Sequence, residues 1–315
     1  MKSNHIKLNV LRTAIGVCSA LAFSTAAVAT EPCGDFGECK VLVEINATDG
    51  DIGFHFLMDG DDLLSAMIHD PDGELVFEDT ASGPLAEQYL TETFAESAEP
   101  LCFDPLGDDD PENDEEDFVT LGEFLDRWTP GIYMFTGFGD DDELSEGATE
   151  LKFELPAAPA DLMYDDGVIS WSAGDDLGEC ASNAELAAMV PDVLPVHPED
   201  VLVDAWEVVF EPDTEDGDPL GQMKFTIRLP GDISTMEVTV PEDYLAALPE
   251  NTLVKIEVGA IGAEDNATFT EMFDVCVNEE VERTFFSSAF HWLGTTVPGL
   301  DDDEEGCGGE DDDDE

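Results

Sequence analysis

Charge is the feature that most constrains what this chain can become. Its 315 residues carry 77 Asp and Glu against 10 Lys and Arg, a formal net charge of −67. Nucleic acid and anionic lipid are held by Lys and Arg neutralising phosphate. A nucleic-acid protein and a polybasic membrane binder are therefore excluded. Such a chain folds only if it buries enough apolar surface to outweigh its self-repulsion, and 43% hydrophobic residues with 9% aromatics supply that material. The surface charge also demands screening, which implies a medium rich in salt or divalent cations.

The first residues read as an export signal. Lys2, Lys7 and Arg12 precede the apolar run Ala14–Phe23, and Ala27-Val28-Ala29 supplies a small-x-small cleavage pattern before Thr30. The run is short for a membrane span, so residues 1–29 are assigned to a signal peptide. The protein is expected to be exported, to the periplasm or beyond, with no membrane span. Past residue 29, seven basic residues face all 77 acidic ones. Six cysteines remain there, Cys33, Cys39, Cys102, Cys180, Cys276 and Cys307. An even number in an exported chain makes all six disulfide candidates. Cys33 and Cys39 flank a short glycine-containing loop and are placed to close on each other.

Alternation of apolar residues marks strands in the first half. Val41, Val43 and Ile45 share one face, as do Ile52, Phe54, Phe56 and Met58. The SAMIH and ELVFED segments flank Asp70-Pro71-Asp72-Gly73, whose Pro presets φ and whose Gly tolerates positive φ. Residues 84–97 read as a short helix, and Leu121–Trp128 as one or two helical turns. Residues 30–155 are thus expected to form a β-sandwich domain, followed by a stiff Pro/Ala linker at 156–160. Scattered elements of this first half, DPDGELV and TPGIYMFTG among them, resemble the pre-peptidase C-terminal domains of secreted bacterial proteins. Those modules are accessory units rather than catalysts.

Residues 161–279 resemble a fibronectin type III domain. Gly167–Ser172 with Trp171 is similar to the family's B strand, and Ala205–Phe210 with Trp206 to its C strand. Leu248–Ile261 is similar to the E–F corner and F strand. Val254 replaces the family's corner tyrosine, so the corner is expected to rely on Leu248 packing. The long connection 174–200 includes Cys180 and a helical turn at Ser182–Met189, and it is expected to be pinned by a disulfide, with Cys276 or Cys307 as partner. The expected fold class is all-β: two β-sandwich domains in tandem, the second fibronectin type III-like, with short helices. An aromatic-rich extension (280–300) and a disordered acidic tail (301–315) follow.

Signals of catalysis are thin. There is no H-x-x-x-H, no G-x-S-x-G and no P-loop. His55 and His69 could meet across adjacent strands near Asp70 as a transition-metal site, but two ordinary strand histidines are the preferred reading. Carboxylates suit calcium better. Its candidate loops are Asp49/Asp51, Asp59–Asp62, Asp108–Asp117, Asp140–Glu143, Asp213–Asp218 and the tail. Asp108, Asp109, Asp110 and Asp114 are the leading metal ligands, expected to hold calcium weakly, and no other cofactor is expected. The implied function is a non-catalytic, envelope-associated binding protein whose partner is a protein or glycan. The alternatives are a calcium-dependent accessory protein, or a hydrolase with its site in the acidic loops of the first domain.

Overall fold

The computed structural model describes residues 33–103, 118–140, 143–214, 218–263 and 265–278. The fold is all-β, as the alternation predicts. In the first half, β1 (Glu38–Asn46) pairs antiparallel with β2 (Ile52–His69). The IGFHFLM and SAMIH segments are one 18-residue strand rather than two. Gly60 and the positive φ of Asp62 bend it, and the register of both β4 and β5 slips at this point. Before the bend, β2 pairs with β1 and with β4 (Leu90–Glu96). After it, β2 pairs with β3 (Leu75–Thr80) and with β5 (Gly131–Gly139), and β5 pairs with β6 (Leu144–Leu151).

The bend folds the sheet onto itself. Phe54 from the first half of β2 meets Tyr133 on β5 with ring centroids 6.2 Å apart, and Trp128 stacks on Phe54 at 3.5 Å. Residues 84–97 do not form the expected helix. They make a single 3-10 turn at Gly83–Glu87 and then β4, where Leu90 and Thr93 face the interior while Thr91, Glu92 and Phe94 face out. The helical turn α1 (Leu121–Leu125) is present. Thr120 and Glu123 close a capping box on it, and Leu121, Phe124 and Leu125 enter the core. The turn at 70–73 is also as read, with Asp70 Oδ1 accepting from Glu74 N at 2.8 Å and Gly73 at φ +82°.

The second half contributes two sheets. One is β7 (Ala160–Asp165), β8 (Val168–Ser172) and β11 (Glu237–Thr239), with β8 in the middle. The other runs β10 (Phe225–Pro230), β9 (Val203–Pro212), β12 (Thr252–Gly262) and β13 (Ala267–Val277). Between them lies a core in which Trp171 and Trp206 approach to 5.9 Å, with Val208, Phe210, Ile256 and Val258 around them. Leu248 is buried in it as expected. The corner at Leu248 is also tied by Asn278, whose Nδ2 donates to the carbonyls of Leu245, Leu248 and Pro249. Tyr244 Oη donates to Met223 O at 2.5 Å and ties its helical turn to the segment before β10.

The two halves share one sheet. β1 pairs in parallel with β13, with Glu44, Ile45 and Asn46 opposite Ala267, Thr268 and Phe269. This makes a ten-stranded sheet that runs from β10 to β6. Buried Asn266 rivets the junction. Its Oδ1 accepts from Val43 N at 2.9 Å, and its Nδ2 donates to Lys152 O at 2.6 Å and Glu154 O at 3.3 Å. Pro156–Pro159 is buried, and Ala157 N and Ala158 N donate to Pro198 O and Asp176 O.

The 174–200 connection packs on the first half. Leu177, Cys180, Ala181, Leu186 (on α2, Asn183–Met189) and Leu194 join the core cluster of β1 and β2. Cys180 bonds to Cys102, not to Cys276 or Cys307 as expected. The reason is that the connection folds back toward β1, with Glu179 N donating to Ala47 O at 3.0 Å. The Cys33–Cys39 disulfide is formed as read, and Cys276 is disulfide-bonded too.

Candidate functional site

Strand alternation sends every second side chain of the large sheet away from the cores. The register then fixes which of these outward residues are neighbours. Glu44 lies opposite Gly53, and Leu42 opposite His55. Glu96 of β4 lies opposite His55, and Phe94 opposite Leu57. Toward the other edge, Glu257 of β12 faces Glu271 of β13 on one side and Val209 of β9 on the other. Glu207 of β9 lies between Gly259 and Arg228. One outward face therefore runs across both halves, lined largely by carboxylates. Two exposed aromatic rings stand on it. Phe94 is 56% exposed and 5.8 Å from the His55 ring, and Phe273 is 38% exposed with Lys255 Nζ 5.6 Å above its ring.

Glu44, His55 and Glu99 converge on this face. Their ligand-type atoms all lie within 4.8 Å of one another. His55 Nε2 stands 3.9 Å from Glu99 Oε1. His55 is only 8% exposed, and its Nε2 is buried without a hydrogen-bond partner. Gly53 makes the convergence possible, since a Cβ there would lie 2.8 Å from His55 Nε2 and 2.9 Å from Glu99 Oε1. Burial, reinforced by the carboxylates of Glu99, Glu96 and Glu207, pushes the Glu44 carboxyl up to about 7. Burial pushes the His55 imidazole below its ordinary value, against the pull of Glu96. Burial and Glu96 raise Glu99. Among the described residues, these three form the group of His, Cys, Asp or Glu whose ligand atoms gather this closely.

A second knot of charge sits on β12 and β13. Glu271, with a side chain only 2% exposed, accepts from Lys255 Nζ at 2.5 Å and from Asn46 Nδ2 at 2.9 Å. Burial works to raise the Glu271 carboxyl, but these hydrogen bonds outweigh it and hold it below its ordinary value. Its neighbour Glu257 goes the other way. Burial and the hydrogen bond to Glu271 push Glu257 up to about 7. As the pH falls below about 7, Glu257 takes up a proton while the charge stays on Glu271, beside the ammonium of Lys255. Asp49 and Asp51 border this knot, both raised by burial and by Glu271.

The residues singled out in the sequence are dispersed. Asp108, Asp109, Asp110 and Asp114 lie outside the described residues, as do Cys307, the signal peptide, the 280–300 extension and the tail. His55 and His69 do not meet, because both belong to β2 and stand 14 positions apart on either side of its bend. Asp59–Asp62 is no loop but the bend of β2, and there Asp61 and Asp62 come together with Asp140 and Glu143. With Asp35 and Tyr89 they line a pocket of 400 Å³. Glu44 and Glu99 were not legible as site residues. Their only signal is a charged residue inside an apolar strand, Glu44 between Val43 and Ile45, and its meaning depends on the register with β2.

No protein-family model matches the chain, and no curated protein matches it. A solved structure described as "Biofilm associated protein - BSP domain" is similar at 10% identity and a TM-score of 0.21, over 81% of this chain and 31% of that one. The chain thus spans about a third of the length of that structure.

Proposed function

We propose that the chain is an exported, non-catalytic binding protein of the cell envelope, acting in the periplasm or outside the cell through the outward face of its large sheet. The observation that carries this reading is the pair of exposed rings, Phe94 and Phe273, on a face that carries many carboxylates. Rigid aromatics in a polar surround are the usual energetic anchors of a protein interface. The excess of acid selects a partner surface rich in Lys and Arg, carried by an envelope protein. Disulfides at Cys33–Cys39 and Cys102–Cys180 accord with an oxidising compartment.

A fibronectin type III-like second half belongs to the same reading. It is supported by the two pairing sets, β7–β8–β11 and β10–β9–β12–β13, and by Trp171 packed against Trp206. Modules of that kind serve commonly as spacers and interaction units, which fits presentation of a face rather than chemistry.

The test is retention of envelope proteins on immobilised wild type and on the Phe94→Ala/Phe273→Ala double variant, followed by elution in NaCl. A basic protein retained by wild type, lost from the variant and released by salt is the expected result. Retention of nothing, or equal retention by both, overturns the reading.

A further inference from the structure

The outward face holds a more specific device than an acidic surface. We propose that Glu44, His55 and Glu99 form a three-ligand site for a divalent transition-metal ion, with Zn2+ as its occupant.

The argument begins with His55. A buried imidazole nitrogen normally finds a hydrogen-bond partner, because leaving it unsatisfied costs about 1–3 kcal/mol. His55 Nε2 has none; Glu99 Oε1 stands 3.9 Å from it, and Glu44 completes a group whose ligand atoms lie within 4.8 Å of one another. Residue 53 beside them is glycine, and a side chain there would crowd both His55 Nε2 and Glu99 Oε1. An unsatisfied nitrogen, two carboxylates and a glycine beside them together make a cation cradle.

The donor set selects the ion. Calcium and magnesium want six or more oxygens and take imidazole poorly. One imidazole with two carboxylates suits Zn2+ and its first-row neighbours. Bond lengths of about 2.0–2.2 Å place the ligand atoms of a tetrahedral ion roughly 3.3 Å apart, so the longest edge of the present triangle needs to shorten by about 1.5 Å at most. Glu99 can supply that movement, because it lies beyond the end of β4 and its side chain is 39% exposed. Glu44 and His55 are held by the β1–β2 ladder and form the fixed edge. Glu96, opposite His55 on β4, lies beside Glu99 outside the triangle. A dication neutralises the two ligating carboxylates where Glu96 and Glu207 already crowd them. Three protein ligands leave a coordination position open, facing the surface that carries Phe94.

The site goes beyond the binding role proposed above and stands or falls separately from it. The test is ZnCl2 titration of the EDTA-stripped full chain, followed by calorimetry. NaCl is kept at about 1 M, where the screening length is about 3 Å and diffuse counterion binding is suppressed. The expected result is a single Zn2+ that excess CaCl2 does not displace. His55→Gln and Glu99→Gln should each weaken it at least about tenfold. Gly53→Ala, which keeps all three donors, should weaken it too, whereas Glu237→Gln on β11 should leave it unchanged. Co2+ added instead should give visible absorption bands that Glu99→Gln abolishes, and Glu99 is exposed enough for that variant to fold. Failure to bind Zn2+, or binding that His55→Gln leaves intact, or binding that CaCl2 removes, overturns the proposal.

Discussion

Glu257 and Glu271 stand opposite each other on adjacent strands, yet their carboxyls move in opposite directions. The difference is placement. Glu271 receives Lys255 and Asn46, whereas Glu257 is left to share a proton with Glu271. This has a consequence for stability. A carboxyl raised from 4.5 to about 7 favours the folded state below its unfolded value and loses that advantage as the pH climbs toward 7. Glu44 contributes with the same sign. Glu271 works the other way, but only as the pH falls below about 4.5. Between pH 5 and 7.5 the unfolding midpoint should therefore fall. Glu257→Gln, which keeps a donor toward Glu271, should flatten the fall and raise the midpoint at the upper pH. At about 1.4 kcal/mol per pH unit the effect is bounded at roughly 3 kcal/mol. Equal pH slopes for wild type and variant would refute it. None of this was legible in the sequence. With 77 carboxylates, only the register picks out the two that share a proton.

Local elements were more readable than their pairing. Alternation located β1 and the first part of β2, because one face of each is buried and the other is not. The Asp70–Gly73 turn and the helical turns at 121 and 183 were readable from their own residues. The misreadings share a physical cause. Residues 90–96 look helical by spacing but are drawn into a strand by the open edge of β2. The parallel joining of β1 to β13 spans more than 200 residues, and no local signal encodes it. The Cys102–Cys180 bond depends on the same long-range fold. It closes 78 residues of chain and ties the 174–200 connection to the core of β1 and β2. Loop-closure entropy over that length amounts to about 4.5 kcal/mol, an upper figure for such a bond. The Cys102→Ser/Cys180→Ser pair should lower the urea midpoint by several kcal/mol equivalent, well beyond the loss from opening the short Cys33–Cys39 loop. A smaller loss from the longer loop would mean that packing alone holds the connection.

At the scale of the molecule, one sheet carries charge from end to end, and its cohesion depends on screening. Exposed carboxylates repel over about 10 Å in 0.1 M salt and over about 3 Å in 1 M. Thermal midpoints should therefore rise steeply with NaCl, and CaCl2 at matched ionic strength should add little more. A much larger rise in CaCl2 would mean that the acidic pocket of Asp35, Asp61, Asp62, Asp140 and Glu143 binds the ion outright. Composition foretold this scale, but it did not show that one face carries carboxylates from both halves together with two aromatic rings. That follows from ten strands in register. Carbodiimide footprinting of carboxylates, with and without the retained envelope partner, tests that face most directly. Protection of Glu92, Glu96, Glu99 and Glu207, with Glu237 and Glu242 labelled as in the free protein, is the result expected. Unchanged labelling of the four, or protection at Glu237 and Glu242 instead, would contradict the assignment of the binding face.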